Sequence, residues 1–103
     1  MTYKLNVTEH ANQLLDNIIY HLIYCLKNMQ AAKHLFDSID TIYGRLELNP
    51  FQFPECRDAY LTKKGYHEAI VPNMNYIIIF NERNDIVNIV GIFHQLENYQ
   101  SKL

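Results

Sequence analysis

The spacing of apolar residues changes near the middle of this chain, and that change constrains the fold more than any single motif. In residues 11–26 and 32–46, apolar side chains recur every three or four positions, which is the period of a helix. Residues 76–80 and 86–94 are instead runs of β-branched and aromatic residues, which are typical of strands. Helical patterns followed by strand patterns predict an α+β domain.

Local signals place the ends of the first elements. Residues 3–7 alternate with period two and predict a short strand, after which Thr8 offers a side-chain oxygen suited to an N-cap. Pro50 stops the second helix near Leu48, because proline disfavours helical geometry at the residue before it. The link between the two helices is short, so we expect an antiparallel helical hairpin.

The second half of the chain predicts strands joined by turns. Residues 51–61 have no clear period and are interpreted as an ordered loop with aromatic anchors, and residues 65–71 predict the first strand of a hairpin. Gly91 marks a bulge or a close contact within the last strand. The expected fold is an N-terminal strand and a helical hairpin packed on an antiparallel sheet of about four strands.

Length and composition exclude several classes of protein. The 103 residues are expected to form a single domain, 1–103, and an apolar fraction of 49% with 19% charged residues is wrong for a disordered chain. A net charge of −2 argues against a protein whose main role is to coat nucleic acid. We find no signal peptide and no run near the 18 apolar residues of a membrane span, so we expect a cytoplasmic protein that makes no membrane contact.

The two cysteines do not predict a disulfide framework or a metal site. Cys25 and Cys56 are expected to be reduced thiols packed in the core. His21 and Cys25 lie four residues apart and would share a helix face, but no second pair of ligands completes a metal site, so core packing is the prediction. Phosphate-loop and nucleophile-elbow motifs are absent, and no cofactor is expected.

Four segments in order carry a resemblance to a known family. They are YKLNVT at 3–8, IDTIYGRL at 39–46, RDAYLTKKGY at 57–66 and VGIFHQ at 90–95. Together they resemble the RelE/ParE toxins of bacterial type II toxin–antitoxin systems, which include plasmid stabilisation proteins, over nearly the whole chain. The resemblance implies a cognate antitoxin whose disordered tail wraps the toxin. It leaves open a homodimer or a hetero-oligomer with that antitoxin.

The resemblance also implies a choice between two activities. RelE-like members cleave messenger RNA on the ribosome, whereas ParE-like members inhibit DNA gyrase and lack the cleavage residues. In close relatives an arginine typically follows the glycine–tyrosine pair and the last strand leads into two basic residues, but here those places hold His67 and Leu96 with Glu97. RNA cleavage needs fixed positive charge at the phosphate, which a neutral histidine does not supply.

These departures favour a ParE-like toxin that acts by binding an essential target, with gyrase as the expected one, rather than by chemistry. One alternative is a ribosome-dependent messenger RNA endonuclease. Its proton-transfer residues would be His94, His67 and Tyr99. A further alternative is an inactive homologue that serves only as an antitoxin-binding partner.

A second set of residues could contact an anionic partner, either nucleic acid or an acidic antitoxin tail. The set is Arg57, Lys63, Lys64 and Tyr66. The antitoxin tail itself is expected on exposed apolar parts of the helical hairpin and on the sheet edge. Sequence alone leaves open which of Ile19, Tyr20, Ile23 and Tyr24 are uncovered.

Overall fold

The computed structural model describes residues 2–97 and 99–103, which form three helices and four strands. The elements are β1 (Lys4–Val7), α1 (Glu9–Tyr20), α2 (Met29–Leu48), α3 (Ala59–Lys63), β2 (His67–Ile70), β3 (Tyr76–Arg83) and β4 (Ile86–His94). A π-helical turn, His21–Cys25, extends α1, and 3₁₀ turns cover Pro50–Gln52 and Tyr99–Lys102.

Side-chain caps begin both long helices, as the sequence predicts for the first. The Thr8 hydroxyl accepts a hydrogen bond from the Ala11 N–H at 3.1 Å, and the Asn28 side chain accepts one from the Ala31 N–H at 3.0 Å. α2 ends at Leu48, two residues before Pro50, as expected from the restriction that proline imposes on Asn49. The helical hairpin is therefore confirmed.

The sheet is mixed, so the expectation of a purely antiparallel sheet is wrong. Its strand order is β1-β4-β3-β2, with β2–β3 and β3–β4 antiparallel and β1–β4 parallel. Alternation along β1 indicates which residues share a face but carries no information about its partner or direction. Hydrogen bonds at both ends hold β1 beside β4. At one end the Thr8 hydroxyl donates to the Ile89 carbonyl, and at the other the Tyr3 N–H donates to the Glu47 carbonyl.

Two apolar cores lie on the two faces of the sheet. The helical hairpin covers one face, where Leu35 and Leu46 pack with Phe80. On the other face α3 and the Tyr99–Lys102 turn cover a smaller core of Cys56, Leu61, Ile77, Ile79, Phe93 and Tyr99. The sequence predicted a loop over residues 51–61, which include the first three residues of α3, because a five-residue helix is too short to show a period. The Asp58 side chain nevertheless caps α3 by accepting from the Leu61 N–H.

Gly91 combines the two roles predicted for it. The register between β3 and β4 shifts after Ile79, which pairs with Gly91, whereas Phe80 pairs with Ile89, so Val90 is the extra residue of a bulge. A Cβ atom on Gly91 would lie 2.4 Å from the ring of Phe93. The backbone therefore approaches a buried aromatic ring as closely as only glycine allows.

The region from His21 to Cys25 corrects another expectation. His21 and Cys25 are exposed, rather than packed in the core, because the π-helical turn changes the helical period and turns these side chains to solvent. Among the described residues no cluster of three or more His, Cys, Asp or Glu side chains could hold a metal ion. In the same part of the chain, no helix has the length and apolar character needed to cross a bilayer.

The two thiols should differ sharply in reactivity. Burial, with Glu68 and Asp58 nearby, raises the pKa of Cys56 to about 12, so its thiol stays protonated at neutral pH, whereas Cys25 is exposed. We expect iodoacetamide at pH 8 to label one thiol per folded chain and both after denaturation, as counted by intact mass spectrometry. A Cys25→Ser variant is the control and should stay unlabelled until it is unfolded. Double labelling of the folded chain would contradict the buried position of Cys56.

Candidate partner-binding groove

An apolar groove runs between α1 and α2 on the side of the hairpin away from the sheet. It consists of two adjoining cavities of about 380 and about 250 Å³ that share Phe36. All the residues found to line them belong to the hairpin, and none belongs to a strand. We call this the hairpin groove; its apolar lining is Leu15, Ile19, Ile23, Met29, Ala32, Phe36, Ile39 and Tyr43.

The groove exists because the apolar stripe of α2 is wider than one helix face. Leu35, Ile42 and Leu46 face the sheet and are buried. Phe36 lies beside them in sequence but about 100° further round the helix, so it cannot face the sheet as well and is 60% exposed. Met29 is 64% exposed for the same reason.

Exposed apolar side chains continue past the groove to the tip of the hairpin. Tyr20 and Tyr24 are exposed and their ring centroids lie 4.7 Å apart, and Leu26, two residues further along the chain, is also exposed. Contiguous apolar surface of this kind is typical of protein–protein interaction sites. Aromatic residues and methionine are also enriched at such sites.

A row of charged residues borders the groove on the α2 side. Lys33 and Asp37 line the cavity nearer the tip, and Asp40 lines the cavity nearer the base. The α1 residues that line both cavities are uncharged, with Asn12 as the polar one. The two sides of the groove therefore differ in charge.

A third cavity, of about 370 Å³, lies between α1 and the end of β4 and contains His94. The ring nitrogen Nδ1 of His94 accepts a hydrogen bond from the Leu96 N–H at 3.2 Å, and its own backbone N–H donates to Glu97 at 2.9 Å. Lys102 and that backbone N–H lower the pKa of Glu97. Burial, and then the Glu97 charge, raises the pKa of Tyr76 beside it.

The three residues considered for proton transfer lie in three different places. His67, on the edge strand β2, stacks on Phe80, and its Nδ1 lies 3.3 Å from the Phe53 carbonyl. His67 pairs with Phe80 on β3, whereas His94 pairs with Tyr76 on the same strand. Phe80 and Tyr76 are four residues apart, which is about 13 Å at ~3.3 Å per residue, and β2 and β4 are not neighbours in the sheet.

Tyr99 lies on the opposite face of the sheet, in the smaller core. Its ring stacks on Phe93 with centroids 5.6 Å apart, and it is 8% exposed. Burial, and then the charge of Glu68, raises the pKa of its phenol, which makes it a weaker acid. His67, His94 and Tyr99 therefore share no cavity.

The predicted anion-binding residues lie on and beside α3. Lys63 and Lys64 are exposed, and the Lys64 ammonium lies 4.6 Å from the centroid of the Tyr60 ring. Tyr66 is half-buried against the smaller core. The Arg57 side chain is paired with Glu68, because its Nε donates to the Glu68 carboxylate at 3.1 Å. This group lies around a short helix, and none of its members lines the cavity at His94.

Comparison with known proteins settles the family. The model of the ParE toxin of the type II toxin–antitoxin system parDE matches residues 5–99. The chain belongs to the ParE toxin family. This membership confirms the resemblance seen in the sequence and places the chain among the toxins of toxin–antitoxin systems.

The ParE-family fold is also found among solved structures. A chain in the structure of a chromosomal ParDE TA system from P. aeruginosa matches with a TM-score of 0.72 at 17% identity. The match covers 89% of the present chain and 95% of that chain. Among curated proteins, no sequence matches significantly. The structural match confirms the α+β fold of a strand, a helical hairpin and four-stranded sheet.

Sequence reasoning missed two features of this ParE-family chain. Phe36 was counted within the apolar stripe of the second helix, and only the excess width of that stripe signals that part of it must be exposed. Glu68 lies next to His67 on β2 and so on the opposite strand face, and its burial to 1% exposure had no signal in the sequence. The partner of Glu68, Arg57, was considered only for its charge.

Proposed function

We propose that this ParE-family chain is the toxin of a type II pair, that it arrests growth by binding an essential cytoplasmic target, and that its antitoxin neutralises it by covering the hairpin groove. DNA gyrase is the proposed target. The observation that carries the antitoxin part is the hairpin groove itself. An aromatic side chain with 60% exposure between two apolar cavities is costly to leave in water and gains free energy when a partner buries it.

The arrangement of polar residues supports inhibition by binding over RNA cleavage. General acid–base cleavage needs a base, an acid and fixed positive charge within reach of one phosphate. Here His94, His67 and Tyr99 lie in separate environments, and Lys63 and Lys64 lie around α3. The cavity at His94 has the Glu97 carboxylate in its wall, and that carboxylate is paired with the Lys102 ammonium at 2.6 Å, so the positive charge of Lys102 is offset before any phosphate reaches it.

Controlled expression in a bacterium, with and without the product of the adjacent gene, tests the proposal. We expect growth arrest with the toxin alone and normal colony counts when both are made. The purified chain should then inhibit supercoiling by gyrase, and the adjacent gene product should relieve that inhibition. A Phe36→Glu toxin should still arrest growth and should escape the rescue.

Each other outcome points to a different function. A tight complex with the adjacent gene product, without growth arrest, would make the chain an inactive antitoxin-binding homologue. Arrest with unchanged supercoiling would refute gyrase as the target. New 5′ ends in transcripts that disappear in a His94→Ala variant would establish RNA cleavage instead.

A further inference from the structure

The cavity between α1 and the end of β4, here called the His94 cavity, is separate from the hairpin groove, and no described residue lines both. We infer that the His94 cavity binds the guanidinium group of an arginine side chain from a partner protein, with the Glu97 carboxylate as counter-ion and the rings of Tyr76 and His94 as walls. In the free chain, Lys102 takes the place of that arginine. The inference goes beyond the proposed function, because it adds a second site with its own ligand chemistry.

Glu97 supplies a fixed negative charge in the wall of the cavity. Its Oε1 accepts a hydrogen bond from the His94 backbone N–H at 2.9 Å, which holds the carboxylate in position. The hydrogen bonds from Lys102 and from that N–H lower the pKa of Glu97, so the group is ionised at neutral pH. Among the described residues that line the cavity there is no lysine or arginine. The lining therefore presents an anion and favours a cationic ligand.

Two aromatic rings stand beside this carboxylate. Tyr76 and His94 are paired across β3 and β4, and their ring centroids lie 5.8 Å apart with the ring planes at 83°. The Leu96 N–H donates to Nδ1 of His94 at 3.2 Å, so that nitrogen carries no proton and the ring is uncharged in this arrangement. A cation is attracted to the face of a tyrosine ring, and a guanidinium group also stacks on aromatic rings. The two rings therefore favour the same class of ligand as the carboxylate.

The apolar part of the lining fits the stem of an arginine side chain. It consists of Leu14 and Ile18 on α1 and Ile92 on β4. Long basic side chains lay their methylene groups along apolar surface and place the charged head against polar groups. The cavity volume of about 370 Å³ lies near the lower end of the range of ligand sites, roughly 300–1,000 Å³. A ligand with an apolar stem and a charged head matches this lining better than a small inorganic ion.

Lys102 occupies Glu97 in a way that an arginine can replace. Its ammonium lies 2.6 Å from Oε2 of Glu97, and its side chain is exposed. An ion pair in contact with water contributes little to stability, so its loss costs little. Lysine makes contact as a point charge, whereas arginine presents a planar fork that matches the geometry of a carboxylate. Only the arginine would also contact the rings of Tyr76 and His94, because Lys102 does not line the cavity.

Titration of the full chain with Nα-acetyl-arginine amide, followed by two-dimensional ¹H–¹⁵N NMR, tests the site without any partner. We expect the largest shifts at the backbone amides of His94, Leu96 and Glu97. The uncharged isostere Nα-acetyl-citrulline amide should cause no such shifts, because it has the shape of the probe without its charge.

Four variants assign the probe to the carboxylate and to its competitor. Glu97→Gln keeps an oxygen for the His94 N–H but removes the charge, and should lower the affinity for the arginine probe at least fivefold. Glu47→Gln removes an exposed carboxylate outside the cavity and should leave the affinity unchanged. Lys102→Ala should raise the affinity at least twofold, since it removes the competing ammonium. Lys4→Ala makes the same change in net charge at an exposed site on β1 and should have no effect.

The same Glu97→Gln chain shows which protein supplies the arginine. If the adjacent gene product supplies it, the variant binds that product at least fivefold more weakly. If the cellular target supplies it, the variant loses growth arrest while its complex with the adjacent gene product is unchanged. Equal affinities of wild type and Glu97→Gln for the probe would overturn the inference, as would probe binding with both the complex and growth arrest unchanged. Absence of growth arrest in the wild-type chain would refute the proposed function and leave the probe titration to decide this site.

Discussion

Replacing Phe36 by glutamate is expected to weaken the complex with the antitoxin at least 100-fold while leaving the fold of the free chain intact. The side chain is 60% exposed and forms the boundary between the two cavities of the hairpin groove. Truncation of a central aromatic residue at an interface typically costs ~2–4 kcal/mol. A carboxylate adds a further penalty here, because it would be buried by the partner beside Asp37 and Asp40.

The measurement is isothermal titration of each purified variant with the adjacent gene product, together with Tm. Leu48→Glu is the matched control, since Leu48 is 67% exposed on the same helix and does not line the groove. We expect Tm of both variants within about 3 °C of wild type, since surface changes cost little. Equal affinities for the two variants would show that the antitoxin covers another surface.

The contrast between Phe36 and Leu35 shows what the sequence pattern can predict about a helix and what it cannot. Both belong to the apolar pattern of the second helix, and the pattern correctly predicted the helix and its buried row. Periodicity assigns residues to faces, but it does not state which neighbouring element covers each face. In this chain the sheet covers Leu35, and α1 leaves Phe36 uncovered.

The same limit explains the errors in the sheet and at the hairpin tip. The strands of the β2–β3–β4 meander are joined by short turns, so their antiparallel pairing follows from the sequence. β1 is separated from its partner β4 by most of the chain, and its parallel direction depends on contacts that no local pattern encodes. At the tip, a π-helical turn changed the period after Tyr20 and exposed His21 and Cys25.

The sequence predicted what kind of site to expect, but not where on the fold that site lies. An antitoxin surface on the helical hairpin was expected from the family resemblance, whereas the position proposed for it, around Phe36, depends on the packing of α1 on α2. The residues proposed for proton transfer were chosen by residue type, which carries no information about the distances between them in the fold. The fold places His67 and Tyr99 on opposite faces of the sheet, whereas His94 lines an open cavity that contains neither of them.

The second large effect is expected from substitution of Glu68, which should change the stability of the fold rather than the binding of the partner. The residue is 1% exposed beside the smaller core, and its carboxylate accepts hydrogen bonds from the Arg57 backbone N–H at 3.0 Å and from the Arg57 Nε at 3.1 Å. These contacts join the segment before α3 to strand β2, and so fix the cover of that core. The Arg57 side chain is 66% exposed, so most of the desolvation in this pair falls on the carboxylate.

We expect Glu68→Ala to lower the free energy of unfolding by about 2–4 kcal/mol, because it leaves the Arg57 N–H without its acceptor and opens a cavity. For a chain of this length that corresponds to a fall in Tm of roughly 10–25 °C. Glu68→Gln keeps an oxygen for the N–H and loses the charge-assisted bond, so its cost should be nearer ~1 kcal/mol. Urea unfolding of both variants measures the difference.

Glu47→Ala provides the matched control, because it removes an exposed glutamate, and its unfolding free energy should lie within ~0.5 kcal/mol of wild type. At temperatures where all variants are folded, the affinity of Glu68→Gln for the adjacent gene product should equal that of wild type, since Glu68 lies on the sheet face opposite the hairpin groove. If Glu68→Ala unfolds with the free energy of the wild-type chain, the buried pair does not hold α3 on the sheet. If Glu68→Gln instead loses affinity without losing stability, the partner contacts the α3 face, and Arg57, Lys63 and Lys64 become the residues to test.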